Sequence, residues 1–174
     1  KPTVVVNAVG ATLGEPAELV RANVIAVEAL LASVRDHAGH ARFVQLGSAA
    51  EYGGAPHGTS LAEDAEPRPL GPYGITKLAG AELVLRAQRA GADAVVLRIF
   101  DVIGPGAPHT TLTGRVIRDL RSRQLIEVGS LDVWRDFVDV RDVAEAVLAV
   151  ALADGSVPPV LNVGTGRATL ARDV

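Results

Sequence analysis

Tyr73-Gly74-Ile75-Thr76-Lys77-Leu78-Ala79-Gly80-Ala81-Glu82-Leu83-Val84-Leu85-Arg86-Ala87-Gln88-Arg89-Ala90, followed after Gly91 by Ala94-Val95-Val96-Leu97-Arg98-Ile99-Phe100, decides the fold. The first run has a helical pattern. Pro72 sits where a first helical turn accepts proline, and Gly91 ends the helix. The second run is short, apolar and β-branched, the signature of a strand buried on both faces.

Similar units flank this one. Towards the N-terminus, Gly53 to Pro72 is rich in Gly, Pro, Ser and acids and forms a loop. Arg42-Phe43-Val44-Gln45-Leu46 is a strand, Pro16 to Val34 repeats apolar residues at helical spacing, and Val4-Val5-Val6 is expected as a strand buried on both faces. Asn7-Ala8-Val9-Gly10-Ala11 is a loop of small residues. Towards the C-terminus, Gly104-Pro105-Gly106 breaks the chain. Thr113 to Arg123 is expected helical and Leu125-Ile126-Glu127-Val128 a short strand. A helix opens at Asp139 or Val140 and runs to about Ala153, with Asp142 in its first turn, where a carboxylate suits the dipole. Val160-Leu161-Asn162-Val163 is the last strand. Alternating strands and helices imply a parallel sheet covered on both faces. Ligands of such sheets bind beyond the carboxyl ends of the strands.

The chain has 174 residues, of which 48% are hydrophobic and 21% charged, enough for a core. A net charge of -3 without a basic block argues against nucleic acid as a partner. The apolar stretches are strand-sized or broken by charge, so no membrane span is expected. With no cysteine, thiolate catalysis, disulfides and zinc–thiolate sites are excluded. His37 and His40 belong to a polar helix end and are expected in a solvated turn; no metal site is expected.

Two features carry chemistry. Tyr73 and Lys77 stand four apart on a helix and so share one face. An ammonium beside a phenol favours tyrosinate, so Lys77 is expected to lower the Tyr73 pKa and prepare it for proton exchange with a hydroxyl or carbonyl. The chain has only two tyrosines and two lysines, which gives the coincidence weight. The alternative is a half-buried Tyr and a snorkelling Lys on an ordinary helix. Ser48, in Gly47-Ser48-Ala49-Ala50-Glu51-Tyr52-Gly53, directly follows a strand and could donate to a substrate oxygen, or could simply form a turn. Glu51 could equally be a solvated loop acid.

Together these stretches resemble the nucleotide-sugar-modifying branch of the extended short-chain dehydrogenases/reductases, the NAD-dependent epimerase/dehydratase family. Val5-Val6-Asn7-Ala8-Val9-Gly10, Asn23-Val24, Leu97 to Pro105, Arg135-Asp136-Phe137-Val138-Asp139-Val140-Arg141-Asp142-Val143-Ala144 and Leu161-Asn162-Val163-Gly164-Thr165-Gly166 resemble further family blocks in order and spacing. The resemblance implies a Rossmann-like, doubly wound parallel α/β sheet, incomplete at the N-terminus, with part of a small C-terminal substrate-binding region. Residues 1–110 would be the C-terminal part of the dinucleotide-binding domain. Residues 111–174 would be shared between the substrate-binding region and the last Rossmann elements. The family's glycine-rich pyrophosphate turn has no counterpart before Val4, and the chain opens on Lys1-Pro2 and has no methionine, so a piece of a longer protein is expected.

The resemblance further implies NAD or NADP as cofactor, a nucleotide sugar as substrate, a homodimer and a cytoplasmic location. Tyr73 would be the general acid/base. Lys77 would tune it and bind the nicotinamide ribose, and Ser48 would hydrogen-bond the reacting oxygen. Val9, Gly10, Asn23, Tyr73, Lys77 and Phe100 would form the cofactor site. Ser48, Asp101 and Arg135 would face substrate, Arg135 on its diphosphate, unless Arg135 is a surface residue paired with Asp136 or Asp139. Asp101 replaces the family's usual Asn and would repel a phosphate if it pointed inward. Related dehydratases carry an acid just after the Ser or Thr. Ala49 and Ala50 cannot move protons, so dehydration is disfavoured against keto-sugar reduction or epimerisation. The alternative from another class is a sensor or scaffold that kept the fold and lost the chemistry.

Overall fold

The structure, a computed structural model, describes residues 1–56, 58–108, 110–122 and 130–174. The strand expected at 125–128 lies outside the described residues.

Four parallel strands form the main sheet: β1 (Val4–Asn7), β2 (Arg42–Leu46), β3 (Ala94–Ile99) and, between Val160 and Val163, a strand numbered β7 by its place in the chain, in the order β1-β2-β3-β7. Parallel neighbours need a crossover. Between β1 and β2 it comprises α1 (Pro16–Val20), a π-helical turn Arg21–Ile25 and α2 (Ala26–Ala38). Between β2 and β3 it is α3 (Pro72–Arg89). The return to β7 includes β4 (Asp101–Ile103), α4 (Leu112–Ser122), β5 (Trp134–Arg135), β6 (Phe137–Asp139) and α5 (Val140–Leu152). β4 pairs in parallel with β6, and β5 pairs antiparallel with β8 (Thr169–Leu170). Sequence patterning missed these pairs, because strands of two or three residues are too short to show a period.

The sheet is covered on both faces, as alternation along the strands requires. Phe43 and Val96 turn to one side and pack with Val27, Ala81 and Val84 from α2 and α3. Val44, Val95 and Leu97 turn to the other and pack with Val143 and Val150 from α5. Val95, Val96 and Leu97 are wholly buried. β1 stands last in this order, next to β2, and its Val6 is 41% exposed.

Arg42 ties the end of α5 to the sheet. Its guanidinium donates to the carbonyls of Val150 (2.8 Å), Ala153 (2.7 Å) and Gly155 (2.5 Å). A cation belongs at this helix end, where carbonyls lack intrahelical donors. His37 and His40 are exposed at the α2 end, as expected. No described helix is long and apolar enough to cross a membrane.

Candidate active site

The carboxyl ends of β1, β2 and β3 open into one cleft of about 240 Å³. Val9 and Gly10 reach it from the loop after β1, Ser48 from the turn after β2 and Phe100 from the end of β3. Tyr73 and Lys77 reach it from α3, and Asn23 from the π-helical turn. Seven of the nine residues singled out in the sequence thus line a single cavity. Asp101 and Arg135 do not line it.

Close approach of the backbones brings the three catalytic candidates together. A Cβ on Gly74 would lie 2.5 Å from the Ala50 carbonyl oxygen, and one on Gly80 would lie 2.2 Å from that of Asn23. Only glycine lets α3 lie this close to both the Ser48 turn and the π-helical turn. Buried Asn23 uses the contact. It donates to Thr76 Oγ1 (3.0 Å) on α3 and to the Ala11 carbonyl (2.9 Å), and it accepts from the Ala11 amide (2.9 Å). One side chain therefore fixes the loop after β1 against the helix that carries Tyr73 and Lys77. The π-turn places Asn23 here, and such turns often mark functional sites.

Lys77 is buried, and its Nζ donates to the Leu46 carbonyl at 2.5 Å. Burial lowers its pKa and Glu51 partly restores it. Tyr73 departs from expectation: its pKa is raised, first by burial, with the charges of Glu51 and Asp101 adding to the rise and the Ser48 hydroxyl opposing it. The Lys77 ammonium donates to the Leu46 carbonyl. Tyr73 accordingly stays protonated through neutral pH, the form needed to donate a proton.

Ser48 caps a single 3-10 turn, Ala49–Glu51. Its hydroxyl accepts from the Ala50 amide (3.2 Å), and its own amide donates to Glu51 Oε1 (2.9 Å), a reciprocal box. Glu51 is no solvated loop acid. It has no exposed surface, and Arg98 Nε donates to its Oε2 at 2.9 Å. Arg98 also lies 4.4 Å over the Tyr52 ring, and Tyr52 donates to Asn162 on β7 (2.8 Å). Sequence reasoning missed this buried network, although a Glu three residues after Ser48 is a capping signal. It also missed Asn7, which donates to Gln45 (2.8 Å) and accepts from the Val9 amide (3.1 Å) at the end of β1.

Arg135 is half exposed and faces Asp101, with 3.7 Å between Nε and Oδ2. The partners expected for it are engaged elsewhere. Asp136 accepts from Thr165 N (2.8 Å), Thr165 Oγ1 (2.6 Å) and Gly166 N (2.8 Å), while Asp139 accepts from the Arg141 amide (2.8 Å) and side chain (2.9 Å) and caps α5. Among the described residues no cluster of His, Cys, Asp or Glu could hold a metal.

A Rossmann-like parallel sheet with Ser, Tyr and Lys in one cleft at its carboxyl edge defines a fold of the short-chain dehydrogenase/reductase type. The model of the NAD dependent epimerase/dehydratase family matches residues 1–164, and the chain belongs to that family. It is 43% identical to dTDP-6-deoxy-L-talose 4-dehydrogenase (NAD(P)(+)) of Kitasatospora kifunensis, over 97% of this chain and 55% of that protein. It is 31% identical to GDP-6-deoxy-D-mannose reductase of Pseudomonas aeruginosa strain PAO1, over 92% of this chain and 55% of the reductase. The structure of MoeE5 in complex with UDP-glucose and NAD superposes with a TM-score of 0.85 at 36% identity, over 98% of this chain and 59% of MoeE5. The chain spans about half the length of the curated relatives it matches.

Proposed function

We propose that the intact protein is an NAD(P)-dependent oxidoreductase that interconverts a hydroxyl and a keto group on a nucleotide sugar. The observation that carries this reading is the convergence of Ser48, Tyr73 and Lys77 on one cleft. Tyr73 gives a proton to the carbonyl oxygen during reduction and takes it back during oxidation. Ser48 hydrogen-bonds that oxygen. Lys77 presents an ammonium one helical turn from Tyr73. Protonated Tyr73 is the form that serves reduction, and relatives named as a dehydrogenase, a reductase and epimerases support hydride exchange at a hydroxyl-bearing sugar carbon. Elimination of water needs a carboxyl group near the sugar. Among the described residues that line the cleft none is a carboxylate, and Glu51 faces Arg98 instead. No feature of the site favours a binding-only sensor or scaffold.

The residues present fit the ribose and nicotinamide end of the cofactor. A Cβ on Gly10 would lie 3.0 Å from Asn23 Oδ1 and 3.9 Å from Lys77 Nζ, so the bare backbone there leaves a cradle beside an ammonium. Val9, Gly10 and Phe100 would line it, Asn23 would hold its rim, and Lys77 would hydrogen-bond the ribose hydroxyls. Bound NAD or NADP would supply the hydride donor or acceptor. Arg135 and Asp101 would meet the sugar's diphosphate. Residues 1–110 would belong to the dinucleotide-binding domain and 111–174 to both regions. A homodimer through α3 would cover Ile75, which is 53% exposed.

The test is Tyr73→Phe in the intact protein, assayed with a panel of nucleotide keto-sugars. Turnover should fall roughly 10²- to 10⁴-fold with cofactor binding nearly intact. Full activity would remove Tyr73 from the chemistry. A changed sugar without net consumption of NAD(P)H would make the enzyme an epimerase.

A further inference from the structure

We propose that Glu51, clamped behind the cleft by Arg98, is a positioning residue that aims Ser48 at the reacting oxygen. The proposal rests on the functional reading above. Ser48 sits on a corner with little regular structure to hold it, between the last residue of β2 and a three-residue turn. Its amide is held by one side-chain acceptor, Glu51 Oε1 at 2.9 Å. The other oxygen of that carboxylate is held by Arg98 Nε at 2.9 Å, and Arg98 is the next-to-last residue of β3, in the core sheet. Glu51 and Arg98 are 0% and 3% exposed, so neither can swing into water. The carboxylate also packs under the corner: a Cβ on Gly47 would lie 2.7 Å from Oε1. A chain of two charge-assisted bonds thus runs from the central strand to the backbone of Ser48.

The same buried carboxylate also acts electrostatically on the proton-transfer group. It faces Ser48 on the loop, Arg98 on β3, and Lys77 and Tyr73 on α3. Its charge opposes ionisation of Tyr73, as does that of Asp101. Glu51 therefore orients the hydroxyl that binds the oxygen, and its charge adds to the burial that raises the neighbouring phenol's pKa.

Two variants of the intact protein test this. Glu51→Gln keeps an acceptor for the Ser48 amide and removes the charge. The pH limb that reports Tyr73 should then move to lower pH, because a negative neighbour has gone. The paired change Glu51→Leu with Arg98→Met removes the link without leaving a lone buried charge, a swap that proteins often tolerate. It should keep the melting temperature yet lower kcat roughly ten- to a hundredfold, as expected for a misplaced group. KM should stay within about twofold of the parent, because the interaction lost is one made in the transition state. Adding Ser48→Ala to the pair should cost little more than Ser48→Ala alone, since Glu51 acts through Ser48.

An unchanged kcat in the paired variant, losses that multiply with Ser48→Ala, or an unmoved pH limb in Glu51→Gln would overturn the proposal. So would failure of both variants to fold, which would make the pair a brace of the core. Tyr73→Phe, run alongside, separates the two readings. Full activity there defeats the functional reading, whereas an inactive Tyr73→Phe beside an unaffected paired variant defeats only the role of Glu51.

Discussion

Two arginine–carboxylate pairs stand beside the cleft and differ in almost every physical respect. Arg98–Glu51 is closed: 2.9 Å between the nearest atoms and 3% and 0% exposed. Arg135–Asp101 is open: 3.7 Å and 50% and 49% exposed. The first is surrounded by protein, so each partner has no substitute for the other and the pair fixes geometry. The second is bathed in water, which competes for both ions and makes the contact weak and exchangeable. The role proposed for Glu51 needs a pair of the first kind, and the role proposed for Arg135 a pair of the second. Arg42–Asp93 lies between them, with Arg42 buried (8%) and Asp93 half exposed (45%).

Removing one partner from each pair sharpens that comparison. Arg98→Ala leaves a wholly buried carboxylate unpaired and should destabilise the fold by about 3–5 kcal/mol, measured by urea unfolding. A loss below about 1 kcal/mol would mean that water reaches Glu51, and the closed pair would be no different from the open one. Arg42→Met keeps much of the volume but strips donors from three carbonyls at the α5 end. It should cost about 1–3 kcal/mol, and hydrogen exchange should quicken in the last turn of α5 before it does in β3. Asp101→Asn should change stability by less than about 1 kcal/mol. It frees Arg135, so the KM for a nucleotide sugar should fall a few-fold at low salt and converge on the parent's at high salt. A KM insensitive to salt in both proteins would place Arg135 away from the diphosphate.

The sequence carried most of the sheet and most of the cleft. β2 and β7 appear where their apolar runs stand, and α3 and α5 begin within a residue of the expected starts. Ser48, Tyr73 and Lys77 were legible because i and i+4 share a helix face, and because residues directly after parallel strands must gather at one edge. Arg135 was harder. Three aspartates lay within reach along the chain or across it, and its partner, Asp101, is the one most distant in sequence. Glu51 was seen, but its burial was not. A glutamate in a polar loop looks solvated until a strand more than forty residues on supplies the arginine that lets it go inside.

By itself, then, the sequence determined the order of strands and helices, the two-sided core and the residues that would meet at the sheet's carboxyl edge. Those follow from periodicity and chain direction, which are local properties. Only the tertiary structure decided that Arg135 faces Asp101, that burial raises the Tyr73 pKa, and that a buried ion pair stands behind Ser48. Burial and pairing depend on which distant groups arrive in the same place, and water is excluded only once they have.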